Sequence, residues 1–240
     1  MFSTLAIDES SHRRALSVTS VTSDVVLSAM SAIVIDLMSA SSSGSTGHPL
    51  PIAVLVSGKG TNLQALLDTV HGREAEIVAV ASSTTKAPAL RKAIERGVQT
   101  AVFDRSDYAD RRERDEAMAE WLLRCGARLV VLAGFMELLS ERFLDRFPEA
   151  VINVHPSLLP SYPGLHPIER ALADGAKVFG VTVHYVDTGI DTGPIILQGS
   201  RELPRASDPA RVLTALRPLE HTLLPEAVKL IAAQRQLIAA

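Results

Sequence analysis

Two polar residues, Asn153 and His155, stand two positions apart at the end of a short apolar run. Because side chains alternate along a strand, both would point to the same side of a sheet. Pro156 disfavours helical backbone at His155 and so keeps the strand geometry up to that residue. An amide N–H and an imidazole aimed at one spot can stabilise an oxyanion and transfer a proton. The alternative interpretation is that the two side chains tie down the loop that follows.

An imidazole in such a role needs a neighbour that sets its tautomer or its pKa. Asp187 and Asp191 are the candidates, and both lie in the glycine-rich segment 187–194. A carboxylate beside the ring would favour the protonated imidazole and could relay protons through water. The spacing does not choose between the two aspartates, and an Asp-Thr-Gly segment is also common in ordinary turns.

A second candidate site is the glycine loop, Ser-Gly-Lys-Gly-Thr-Asn at 57–62, which follows an apolar run at 52–56. The residue after it is Leu63, so the third glycine of a dinucleotide fingerprint is missing, and the P-loop spacing is absent as well. Thr61 and Gln64 match a capping box, which predicts that a helix starts here. A helix N-terminus beside glycines can hold a single phosphate, although a tight capped turn is the alternative.

Metal and disulfide chemistry are not predicted. The histidines His166, His184 and His221 are scattered without a metal-ligand motif, and His184 falls within a predicted strand, where a structural role is expected. Cys125 is the single cysteine, which excludes a disulfide framework and a cysteine-based zinc site. One cysteine is also typical of a reducing compartment, so we expect a cytoplasmic protein.

Composition limits the partners. The 240 residues are 47% apolar and 21% charged, with a formal net charge of −3. This is an ordinary globular balance, and the lack of a basic excess argues against nucleic acid as a partner. No stretch of 18 or more apolar residues exists, so no membrane partner is expected. Small-molecule substrates remain, with a monomer or a homodimer as the assembly.

Several elements must position these residues. Apolar runs predict strands at 52–56, 76–81, 99–103, 128–133, 151–154, 177–186 and 195–203. Amphipathic stretches predict helices at 63–70, 87–96, 108–124 and 168–174 and in the C-terminal region, where Pro218 is expected to begin the last helix. Strands that are apolar on both faces and alternate with helices indicate a parallel sheet covered on each side. We therefore predict a doubly wound, mostly parallel α/β fold with helices on both faces.

The domain organisation is predicted to be simple. Residues 1–49 are rich in Ser and Thr, and they are expected to form a flexible tail, with a targeting peptide as the alternative. Residues 50–240 are expected to form a single domain.

Five segments together resemble the phosphoribosylglycinamide formyltransferase family. They are V-S-G-K-G-T-N-L-Q-A at 56–65, L-A-G-F-M at 132–136, N-V-H-P-S-L-L-P at 153–160, Y-P-G-L at 162–165 and D-T-G-P-I-I-L-Q at 191–198. The resemblance covers about residues 51–235 and implies a formyltransferase-like fold. It implies transfer of a formyl group from 10-formyltetrahydrofolate, as co-substrate without a metal, to the amine of phosphoribosylglycinamide in purine biosynthesis.

The resemblance also implies roles for individual residues. Asn153 and His155 would be catalytic, with Asp191 rather than Asp187 tuning the histidine. Gly60, Thr61, Asn62 and Glu220 would bind the ribonucleotide. The residues implied at the folate are Arg111, Met136, Glu137, Leu138, Leu139, Asn153 and Asp187.

Three departures from the family pattern leave alternatives open. Glu137 stands where the family commonly has an arginine, and His166-Pro-Ile replaces a more usual Thr-His pair. Pro218 lies in the segment that leads to Glu220 and bears on where that side chain points. The related alternatives are formyltetrahydrofolate deformylase and methionyl-tRNA formyltransferase, the latter expected to carry a further C-terminal RNA-binding domain. An inactive phosphate-binding module is the non-enzyme alternative, although Asn153, His155 and Asp191 are all present.

Overall fold

The computed structural model describes residues 48–239, so the tail predicted at 1–49 lies almost wholly outside the described residues. Within this range seven strands form one sheet in the order β3-β2-β1-β4-β5-β6-β7. The strands are β1 (Leu50–Val56), β2 (Ala75–Ser82), β3 (Gln99–Val102), β4 (Leu129–Leu132), β5 (Val151–His155), β6 (Val178–Tyr185) and β7 (Ile195–Glu202). The helices are α1 (Thr61–Thr69), α2 (Pro88–Glu95), α3 (Arg111–Arg124), α4 (Glu141–Arg146), α5 (Pro167–Ala173) and α6 (Pro209–Ala239).

The pairing of the strands confirms the predicted doubly wound, mostly parallel sheet. Strands β1 to β5 pair in parallel, whereas β6 is antiparallel to both β5 and β7. The chain reverses its direction of travel across the sheet between β1 and β4, which is the point where ligands bind in such sheets. The loops that follow β1, β4 and β5 all leave the sheet at this one edge.

Apolar side chains on both faces of the sheet explain why the strands are so uniformly hydrophobic. In β1, Ile52 and Val54 pack into the cluster that includes residues of α1 and α6. Ala53 and Leu55 point the other way, toward the cluster that includes residues of α3 and α4. All four are fully buried, and a large aliphatic side chain buried in this way contributes about 1.5–3 kcal/mol.

The prediction that Pro218 begins the last helix is wrong. Helix α6 runs without interruption from Pro209 to Ala239, with Pro218 inside it. A proline removes the hydrogen bond to the carbonyl four residues earlier, here Thr214, which is exposed and can bond to water. The neighbouring carbonyl of Ala215 accepts a hydrogen bond from Arg201 at 2.7 Å. Buried residues on the opposite face, such as Leu216, hold the helix against the sheet.

Two further details of the helices differ from the sequence prediction. Gly60, not Thr61, is the N-cap of α1, and no side chain caps this end. Because Gly60 is the N-cap, the third helical position is Leu63 rather than Gln64, and the Gln64 amide donates to Asp68 one turn later. The short helix α4 was not predicted, and it follows directly on Ser140. No helix of the described residues is long and apolar enough to cross a membrane.

Candidate active site

Asn153, His155 and Asp191 meet at the carboxyl end of β5. The imidazole Nδ1 of His155 lies 3.2 Å from Asp191 Oδ2. The amide of Asn153 donates to Asp191 Oδ1 at 3.4 Å. Of the two candidate aspartates, the structure therefore brings Asp191 against the histidine. Asp187 instead accepts hydrogen bonds from the Gly189 N–H and from Thr192 within its own loop.

Both ring nitrogens of His155 face hydrogen-bond acceptors. Nε2 lies 3.0 Å from the backbone carbonyl of Tyr162, and Nδ1 faces the Asp191 carboxylate. An imidazole that donates to both must carry two N–H groups, so this geometry suits the imidazolium. Burial lowers the pKa of His155, while the Tyr162 carbonyl and the Asp191 carboxylate act in the opposite direction. Burial is the larger effect, so the pKa of His155 lies below its usual value, and the two acceptors limit that decrease.

Asp191 is held in a fixed, ionised state. Burial by itself would raise its pKa, but hydrogen bonds from His184 and from the Gly164 N–H keep the pKa below its usual value. The Gly164 N–H donates to Asp191 Oδ2 at 2.8 Å. Asp191 has a left-handed backbone with φ of 53°, a conformation that aspartate adopts more readily than most residues. Non-glycine residues in this region of backbone space are frequent at functional sites.

His184 also belongs to this cluster, although the sequence analysis assigned it only a structural role. It lies in β6 as predicted, with 1% of its surface exposed. Its Nε2 is 3.3 Å from Asn153 Nδ2 and 3.4 Å from Asp191 Oδ1. The antiparallel register pairs Asn153 with His184 directly. That register was not available from the sequence, which predicted both strands but not their pairing.

A second cluster of polar residues, contributed by the glycine loop and α6, lies near the same edge of the sheet. The Asn62 amide donates to Glu220 Oε2 at 3.1 Å, so Pro218 does not turn Glu220 away from the loop. Burial raises the pKa of Glu220, although Asn62 and Arg217 counteract this. Lys92 donates to the Gly60 carbonyl at 3.2 Å, a contact across two helices that sequence reasoning missed. Among the described residues, Asn62 Oδ1 is buried and has no hydrogen-bond partner.

Of the residues predicted at the folate, Asn153 lies in the His155 cluster, and the other six divide into two groups. Arg111, Leu138, Leu139 and Asp187 line one cavity of about 450 Å³, within the range of small-molecule sites. Met136 and Glu137 do not line it. Met136 is 71% exposed, and its N–H donates to Ser57 of the glycine loop at 3.3 Å. Glu137 instead forms an ion pair with the buried Arg114.

The cavity and the His155 cluster are adjacent because they share one loop. Residues 187–190 line the cavity, and Asp191 follows directly in the chain. No group of three or more histidine, cysteine or acidic side chains suited to a metal ion is found between residues 48 and 239. What the arrangement offers chemically is an imidazole, an amide and a carboxylate beside a cavity.

Comparison with known proteins identifies the class. The formyl transferase family matches residues 50–228, and the chain therefore belongs to this family. The resemblance noted in the sequence is confirmed at finer detail by two relatives. Phosphoribosylglycinamide formyltransferase of Haemophilus influenzae is 37% identical over 180 residues, covering 74% of this chain and 85% of the relative. A crystal structure of glycinamide ribonucleotide transformylase 1 from Symbiobacterium toebii is similar with a TM-score of 0.76 and 38% identity, covering 81% of this chain and 94% of that one.

A longer relative contains the same region as one part. The trifunctional purine biosynthetic protein adenosine-3 of Drosophila pseudoobscura pseudoobscura is 39% identical over 185 residues. The match covers 75% of this chain but only 14% of that protein.

Proposed function

We propose that this chain transfers the formyl group of 10-formyltetrahydrofolate to the amine of phosphoribosylglycinamide. The observation that carries the proposal is the His155–Asp191–Asn153 cluster, which lies at the same sheet edge as the glycine loop. The cluster can act on the formyl carbon while the glycine loop holds the phosphate. The names of the relatives support the same reaction and a role in purine biosynthesis.

The reaction is acyl transfer, and the three residues fit its charge changes. The substrate amine attacks the formyl carbon, and the carbonyl oxygen becomes an oxyanion in the tetrahedral intermediate. Asn153 and the protonated His155 stabilise that oxyanion, and Asp191 stabilises the imidazolium. The amine then loses one proton and N10 of the folate gains one as the C–N10 bond breaks. The two proton transfers balance, and tetrahydrofolate leaves.

His155 must free an N–H for the formyl oxygen. In the structure its Nε2 faces the Tyr162 carbonyl, and its Nδ1 faces Asp191. We assign the Tyr162 contact as the one that the substrate replaces, because the contact with Asp191 also stabilises the ring charge. Asp191 keeps its other hydrogen bonds, to Gly164 and Asn153, during this exchange.

The remaining predicted residues bind the two substrates. The N–H groups at the start of α1, in Gly60, Thr61 and Asn62, hold the phosphate. Glu220, beside Asn62, accepts from the substrate amine or its amide. Arg111, Leu138, Leu139 and Asp187 bind the folate in the cavity that they line, and the backbone of Met136 and Glu137 extends that surface.

A direct assay tests this function with the full-length chain. Tetrahydrofolate formation is followed by absorbance, and formate is measured separately, with and without phosphoribosylglycinamide. Turnover only in the presence of the ribonucleotide supports the proposal. Formate release without it identifies a deformylase, and no turnover by folded protein refutes an enzymatic function on this substrate.

A matched pair of histidine variants tests the mechanism. We expect His155→Ala to lower kcat by several orders of magnitude while the protein stays folded. The control is His71→Asn, between α1 and β2, where the asparagine oxygen can accept the Ile77 N–H in place of Nδ1. Substantial turnover by His155→Ala would rule out the assigned role.

A further inference from the structure

Arg114 is a fully buried cation next to the candidate folate cavity. It lies in α3, and none of its surface is exposed. A guanidinium cannot lose its charge in a protein, so burial requires acidic partners. Asp115, equally buried, accepts from Arg114 Nε at 3.0 Å and from Nη2 at 2.6 Å. This leaves Nη1, and its partner is the carboxylate of Glu137.

These two carboxylates connect α3 to the 136–140 segment, which has no helix or strand. Glu137 lies near the start of the segment and binds Arg114 through its side chain. At the end of the segment, the Ser140 N–H donates to Asp115 Oδ2 at 2.6 Å. The ion pair of Arg114 and Asp115 thus holds the segment at two points, Glu137 through Arg114 and Ser140 through Asp115.

The part of the segment between these two points forms one wall of the cavity. Leu138 and Leu139 line it, together with Ser140. Among the described residues, 137–139 form no hydrogen bonds from backbone to backbone, so their N–H and C=O groups are available to a ligand, whereas the Met136 N–H already donates to Ser57. The affinity for a ligand that binds to backbone groups depends on how rigidly that backbone is held in place.

We propose that the Arg114–Asp115–Glu137 cluster is a positioning device that fixes the 136–140 segment for the folate. Glu137 acts in this device through its side chain, behind the cavity wall, and not by touching the ligand. The inference rests on the proposed function, because it assigns the folate to this cavity. It predicts that loss of the Glu137 carboxylate weakens folate binding and leaves the chemistry and the ribonucleotide site intact.

The test compares Glu137→Ala and Glu137→Gln in the full-length chain. Glutamine keeps an oxygen that can accept from Arg114 Nη1, whereas alanine keeps nothing. We expect Glu137→Ala to raise both the KM for 10-formyltetrahydrofolate and the calorimetric Kd for tetrahydrofolate about tenfold, corresponding to about 1.4 kcal/mol. The KM for the ribonucleotide and kcat should stay within about twofold. Glu137→Gln should recover most of the loss.

The control variant is Glu120→Ala. Glu120 is also in α3, and it pairs with Arg124 of the same helix at 3.6 Å, but both side chains are exposed and neither lines the cavity. Exposed pairs contribute little, so folate binding should be unchanged.

Several results would overturn the proposal. Glu137→Ala with unchanged folate KM and Kd would do so. A merely structural role would also overturn it. In that case both Glu137 variants would show a lower kcat, a lower melting temperature and a higher KM for both substrates. Wild-type protein that binds tetrahydrofolate but transfers no formyl group would refute the proposed function alone, and the Kd comparison would still decide the positioning role. Wild-type protein that binds no tetrahydrofolate would refute both.

Discussion

Gly60 is a position of the glycine loop where the structure leaves no room for a side chain. Its backbone is left-handed, with φ of 68°. A Cβ added there would lie 2.6 Å from the Cβ of Ala89 and 2.9 Å from its Cα. Ala89 is fully buried in α2, and its N–H donates to the Gly58 carbonyl at 3.2 Å. The Ala89 backbone therefore cannot move away from residue 60 without disturbing the glycine loop to which it is bonded.

The cost of Gly60→Ala follows from these contacts. Left-handed backbone costs a non-glycine residue about 1–2 kcal/mol. Overpacking of a rigid site costs about 1–3 kcal/mol more. Alanine also restricts the unfolded chain, which offsets about 0.4–1 kcal/mol. We therefore expect the free energy of unfolding to fall by about 1–5 kcal/mol, with a melting temperature lower by about 2–4 °C for each kcal/mol. The displaced loop should also raise the KM for the ribonucleotide about tenfold or more.

Gly58→Ala is the matched control, because it lies in the same loop. A Cβ at Gly58 meets nothing within 4 Å, and its φ is not positive. Its unfolding free energy should stay within about 1 kcal/mol of the wild type. The measurements are urea unfolding of both variants and steady-state kinetics at varied ribonucleotide concentration. Equal stability and equal KM in the two variants would refute the argument that the close approach of α2 shapes this loop.

Three further predictions follow from the site and from α6. Burial lowers the pKa of His155, and the Asp191 carboxylate opposes this decrease. Asp191→Asn should therefore move the alkaline limb of the kcat/KM profile to lower pH, with activity above that limb reduced about 10- to 1,000-fold. An unmoved limb would show that the two groups are not coupled. Burial raises the pKa of Glu220, so the wild type loses stability as the pH rises from the ordinary glutamate pKa to the raised one. Glu220→Gln should therefore melt higher than the wild type above that window, while its KM for the ribonucleotide increases about tenfold; a lower melting temperature would contradict this. Pro218→Ala should stabilise α6 by about 1–3 kcal/mol in urea unfolding, and an unchanged free energy of unfolding would contradict this.

Local sequence patterns were sufficient to predict most of the fold. The run at 52–56 is apolar at every position because β1 is covered on both faces, and such a run is visible without any tertiary information. The pair Asn153 and His155 could be placed on one face for the same reason, since strand alternation is a local rule. Pro218 misled the prediction because helix stability here depends on packing of the buried face, which a local rule does not include.

The contacts that complete the site depend on distant parts of the chain. His184 joins Asn153 through the register of two antiparallel strands, and Lys92 reaches Gly60 from the next helix. Arg114 lies in a highly charged helix, where the sequence gives no reason to expect a buried cation. Its partner Glu137 is 23 positions away and belongs to a segment with no periodic pattern. Only tertiary structure relates these residues.

The antiparallel strands β6 and β7 are what bring a carboxylate to His155. Strand β6 follows β5 through a segment that contains α5 and then runs antiparallel to β5. The loop 186–194 joins β6 to β7, with the Tyr185 N–H bonded to the Pro194 carbonyl. Gly193 permits this closure, because a Cβ there would lie 1.9 Å from the Tyr185 carbonyl oxygen. The loop is therefore free to carry Asp191 against His155, while Asp187 stabilises the turn that holds it there. The loop between the antiparallel strands β6 and β7 thus carries both aspartates, with Asp191 against His155 of β5 and Asp187 bonded within the loop.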